Sequence, residues 1–95
     1  MLFMVIEHFR HGDPMPIRER FLRDGRMMPE GVLYHSSWVD PAGTRCFQLM
    51  EAADPHLLQV WTSRWSDLVD FEIVPVLTSE VYWAKTRSSA PPRPD

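Results

Sequence analysis

A glutamate and a histidine stand side by side, Glu7 and His8, at the end of the apolar run that opens the chain. A third titratable residue, Glu72, lies in the apolar stretch Phe71 to Leu77. Two carboxylates brought together in an apolar cavity cannot both ionise cheaply. One pKa rises, and the pair can then act as general acid and base. His8, which titrates near neutrality, is the natural proton acceptor beside them. The structural alternative pairs each carboxylate with an arginine, Arg10, Arg26 or Arg45, to hold the fold or a dimer together. A second set, Tyr34, Ser36, Trp38, Gln48 and Met50, reads as ligand-binding. Rings and a thioether would hold an apolar body, and Ser36 and Gln48 would orient it. Gln48 is hard to explain as core, because a buried amide needs partners; ligand binding and subunit contact both supply them.

The remaining reactive residues point nowhere specific. His11, His35 and His56 are scattered, and neither C-x-x-C nor H-E-x-x-H occurs, so no metal site is expected and no cofactor is named. Cys46 is the one cysteine, which excludes an internal disulfide and reads as a small buried hydrophobe.

These residues must be positioned by one small domain of 95 residues, 44% hydrophobic and 24% charged. The net charge is −3 and no basic block occurs, which argues against a nucleic-acid partner. Met1 to Ile6 is too short to span a bilayer and lacks a charged leader. A soluble cytoplasmic protein without a membrane partner is therefore expected. Leu2 to Phe9 reads as a strand. Asp13 and Pro14 open a helix that runs to Asp24, with Gly25 as its stop and Ile17, Phe21 and Leu22 as its stripe. Val32 to Val39 and Arg45 to Glu51 form a hairpin around "DPAGT". Asp54 and Pro55 open a second helix, striped by Leu57, Leu58, Trp61, Trp65 and Leu68. Phe71 to Leu77 is a fourth strand. Residues 1–79 form the domain, and 80–95 form a C-terminal extension ending in a disordered tail, "SSAPPRPD".

The order β-α-β-β-α-β is the ferredoxin-like α+β pattern, with sheet order 4-1-3-2 and both helices on one face. Alternation divides the strand residues into two sets. The more apolar set, Leu2, Met4, Ile6, Phe47, Leu49, Phe71 and Ile73, is expected under the helices. Phe3, Val5, Glu7, Cys46, Gln48, Met50, Glu72, Val74 and Val76 then form the open face. Pairing Trp38 with Cys46, Ser36 with Gln48 and Tyr34 with Met50 adds three more residues to it. His8 is expected at the helix side or its rim. A half-apolar open face is covered most economically by a second copy, giving a homodimer with a partly polar cavity between two sheets. Glu7 and Glu72 would meet there.

The strings "MLFMVIEHFR", "GRMMPEG", "SWVD", "RCFQLME" and "RWSDLVDFEIVPV" resemble those of domain of unknown function family 3303, a group of small bacterial proteins, over residues 1–79. The resemblance implies a dimeric α/β barrel and no defined activity. The wider superfamily implied by it includes monooxygenases, isomerases and haem-degrading enzymes acting on small, often aromatic ligands. Three functions follow as expectations. The first is a homodimeric barrel binding a small apolar or aromatic ligand. The second is a cofactor-poor monooxygenase or isomerase in which Glu7, His8 and Glu72 move protons. The third is a pure dimerisation domain.

Overall fold

The structure, a computed structural model, describes residues 1–87. The expected tail falls on residues 88–95, outside the described residues. Four strands, β1 (Leu2–Phe9), β2 (Val32–Val39), β3 (Arg45–Ala52) and β4 (Val69–Val76), form one antiparallel sheet in the order β2-β3-β1-β4. The helices α1 (Met15–Asp24) and α2 (Pro55–Ser63) lie between strands in the chain, giving the expected α+β connectivity. A third helix, α3 (Ser79–Arg87), forms the start of the extension, where "EVYWAK" by itself allows a short strand or a helical turn.

Local chemistry explains the boundaries. Asp54 caps α2 by accepting from the His56 amide, and Pro55 fills its first turn. Gly25 stops α1 with φ 70°, and its amide donates to Phe21 O. α2 ends at Ser63, earlier than its apolar stripe suggests. Trp65 and Leu68 continue that stripe in a run of tight turns, in which the Trp65 amide donates to Thr62 O and the Leu68 amide to Trp65 O. At the β2–β3 turn Asp40 accepts from the Thr44 amide and hydroxyl and from the Arg45 amide. These bonds hold its carboxyl well below the usual carboxylate range.

The main correction concerns the two faces of the sheet. Phe3, Val5 and Met50 are buried with Leu58, Trp61 and Trp65 in the core, so this set lies under the helices. Glu7, Cys46 and Gln48 lie on the same side. Leu2, Met4, Ile6, Phe47 and Leu49, expected under the helices, face the open side instead. Only β4 agrees with expectation: Phe71 and Ile73 pack towards the core, and Glu72, Val74 and Val76 face away. The register explains the split. Glu7 pairs with Phe71 and Ile6 with Glu72, so Glu7 and Glu72 point to opposite faces.

β2 carries a second correction. A register shift between Tyr34 and Ser36 gives the pairs Tyr34–Met50, Ser36–Leu49, Ser37–Gln48 and Trp38–Phe47. Tyr34, Gln48 and Met50 therefore lie on the helix side, while Ser36 and Trp38 lie on the open one. The five expected ligand-binding residues do not share a face.

Candidate active site: a cavity beneath the first helix

No residue of helix α1 is fully buried, although Ile17 packs against the core. The helix is held from one side. Arg20 binds both carboxylate oxygens of Asp67, at 2.7 and 2.6 Å, donates to Arg64 O at 3.2 Å, and lies over the Trp65 ring. The space left beneath is a cavity of about 360 Å³. Ile17 and Phe21 of α1 form one wall, and Trp61 and Trp65 form another. The floor is the sheet, with Glu7, Cys46 and Gln48.

Polar chemistry is concentrated on that floor. Glu7 is 8% exposed and Gln48 5%. Gln48 Nε2 donates to Glu7 Oε2 at 2.7 Å, and Gln48 Oε1 accepts from Arg26 Nε at a long 3.5 Å. The amide thus stands between a carboxyl and a guanidinium that make no ion pair with each other. Burial pushes the Glu7 carboxyl up to about 7, against the lowering field of Arg26. Its Oε1 has no protein partner among the described residues and is not sealed in, so this oxygen opens on the cavity. A carboxyl half-protonated near neutrality, with one free oxygen, can donate or accept a proton. Cys46 lies opposite Glu7 in the β1–β3 register. Burial and the Glu7 charge push its thiol up to about 12, which disqualifies it as a nucleophile.

In the sequence Arg26 reads only as a structural ion-pair partner. In the structure its backbone and side chain are both held by contacts within the cavity. The indole N–H groups of Trp61 and Trp65 both donate to its carbonyl oxygen, at 2.9 and 3.0 Å. The next carbonyl, of Met27, accepts from Arg64 at 2.6 Å, and Met27 itself sits at φ 57°, a region non-glycine residues avoid. The Arg26 guanidinium lies 3.6 Å from the Tyr34 ring centre and 5.1 Å from that of Phe21. No sequence signal marks these contacts, since they join residues from four separate segments.

The other expected site residues lie elsewhere. His8 is exposed on the open face, beside Arg45 and Asp70 in the register, and Glu72 is exposed on the same face. The acid–base set Glu7, His8 and Glu72 is therefore not assembled. Tyr34 reaches the site through Arg26, and its hydroxyl bonds to Ser37 Oγ at 2.7 Å. Met50 is fully buried core, while Ser36 and Trp38 belong to the open face. Among the described residues no three His, Cys, Asp or Glu side chains form a metal-binding group, and no helix is long and apolar enough to cross a membrane.

The architecture is an α+β domain with a four-stranded antiparallel sheet, one face open and the other carrying a cavity with a buried carboxyl. The chain belongs to the family described as Domain of unknown function (DUF3303), which matches residues 1–88 and so takes in α3. No curated protein and no solved structure matches it.

Proposed function

We propose that this is a small-molecule-binding protein whose ligand occupies the cavity between the sheet and α1, with an apolar or aromatic body against the walls and a polar group at Glu7 and Gln48. The observation that carries the proposal is the cavity itself, about 360 Å³ with a buried carboxyl on its floor. That volume suits a compact organic molecule, and the apolar walls with few polar groups are the usual composition of such sites. The ligand then lies beneath the helix rather than between two sheets.

The homodimer remains part of this proposal, and the corrected faces support it. The open face carries Leu2, Met4, Ile6, Phe47, Leu49 and Trp38, the last 55% exposed. An antiparallel sheet leaves a face wet only when that face is polar. Two such faces packed together would form the dimeric barrel. A pure dimerisation role leaves the opposite-side cavity unexplained. Proton-transfer catalysis is the second reading, favoured by the free Glu7 oxygen, and it would proceed through Glu7 without His8 or Glu72.

The test is titration with indole and 2-naphthamide, followed by NMR of the tryptophan indole N–H groups. Binding in the cavity moves the Trp61 and Trp65 signals and leaves Trp38 unmoved. Movement of Trp38 alone, or of no signal at millimolar ligand, would overturn the proposal.

A further inference from the structure

We infer that the ligand is an organic anion: a flat apolar body carrying a carboxylate-type group, with the anion on the Arg26 guanidinium and the body against Ile17, Phe21, Trp61 and Trp65. This inference rests on the ligand-binding reading above and names the chemical class that reading leaves open.

The first argument is unbalanced charge. Arg26 lines the cavity and is half-buried. The ion pairs among the described residues use Arg10, Arg20, Arg23, His35 and Arg45, and none uses Arg26. The one carboxyl that shares the cavity is kept off it by the Gln48 amide. Arg18 lines the same cavity from α1, and among the described residues neither arginine forms a salt bridge. In a chain of net charge −3, two such cations at one cavity are a local reversal of sign.

The second argument is geometry. Tyr34 and Phe21 lie against the guanidinium, and Nε is directed at Gln48. The two terminal nitrogens bond to no protein acceptor among the described residues. A planar guanidinium with its terminal N–H groups free is arranged for a two-point grip on a carboxylate. The backbone that carries it is fixed by two indole donors and by Arg64, at the cost of a left-handed Met27. The pocket would therefore lose little entropy when the anion arrives.

The third argument is the charge of the neighbours. Among the described residues, Glu7, Cys46, Arg18 and Arg26 are the titratable or charged groups on this cavity. The thiol stays neutral, and a protonated Glu7 offers an O–H donor at Oε1 rather than a repelling charge.

The experiment is calorimetric titration with 2-naphthoate and its neutral isostere 2-naphthamide at pH 6.5. The expected result is at least a tenfold preference for the naphthoate. Arg26→Gln should abolish the preference, bringing naphthoate down to the level of the amide, while Arg26→Lys keeps part of it. Equal affinities in the unmodified protein would overturn the anion and leave the cavity reading standing. A preference lost in Arg18→Gln but kept in Arg26→Gln would overturn the assignment to Arg26. If neither compound binds, this inference falls together with the ligand-binding reading.

Discussion

Gln48 Nε2 donates to Glu7 Oε2 at 2.7 Å, and through that bond an amide separates an acid from a guanidinium within one cavity. The arrangement keeps Glu7 from forming the ion pair that would lower its pKa. It leaves desolvation as the dominant effect on the carboxyl. Its consequences are measurable in stability as well as in binding.

Glu7 should make stability fall as pH rises from 4.5 to about 7. Its carboxyl titrates at 4.5 in the unfolded chain and at about 7 in the fold. Below 4.5 both states are protonated, and no penalty exists. Between 4.5 and about 7 the unfolded chain loses its proton first, so stability is lost, reaching a plateau above the folded value. The shift corresponds to about 3 kcal/mol. Glu7→Gln keeps a hydrogen-bond acceptor for Gln48 and removes the charge. Denaturant unfolding at pH 8 should show the variant more stable by up to about that amount, with no difference at pH 4. Equal stabilities at both pH values would refute the raised pKa.

Removing the donor should act in the opposite direction. Gln48→Leu leaves Glu7 Oε2 buried without its partner, at a cost of about 1–3 kcal/mol. The Glu7 carboxyl, followed by carbon NMR, should titrate higher than in the unmodified protein. A lower value would show that the Arg26 guanidinium closes on Glu7 once the amide is gone.

Trp61 and Trp65 donate to one carbonyl oxygen, so their contributions cannot be independent. Trp61→Phe or Trp65→Phe alone leaves the Arg26 carbonyl with one indole. The double variant leaves it with neither, and should exceed the sum of the singles by about 1 kcal/mol. A double-mutant cycle by denaturant unfolding measures this, and strict additivity would contradict the shared acceptor.

Arg20 is the tie between α1 and the turn after α2. Arg20→Gln should loosen α1 while sparing the sheet. Hydrogen exchange should accelerate in Met15–Asp24 and remain unchanged in β1 and β3. Uniform acceleration would mean that α1 and the sheet open as one unit.

The open face should carry the dimer. Leu49 lies on it between Met4 and Ser36, in the middle of the sheet. Leu49→Lys should turn a dimer into a monomer by sedimentation velocity, with ligand binding in the opposite-side cavity retained. A monomer in the unmodified protein across accessible concentrations would refute the dimer and leave the cavity untouched.

The types and order of the four strands and of α1 and α2, and the sheet order, were legible in the sequence because each rests on local chemistry, whereas α3 was not. Asp54 with Pro55 and Gly25 mark helix ends, Pro41 and Gly43 mark a turn, and period-two alternation marks strands. What alternation lacks is a sense of side, since shifting a strand by one residue exchanges its faces and preserves its period. The more apolar set of β1 and β3 was the natural choice for the covered side. The fold covers the set containing Glu7 and Gln48, and the two polar groups hydrogen-bond each other there. The β1–β4 register and the irregularity after Tyr34 then decided which residues could meet. Arg26 entered the site by the same route. Its position depends on Trp61, Trp65, Arg64 and Tyr34, which lie 8 to 39 residues away along the chain and become neighbours only when the sheet and helices close on one another.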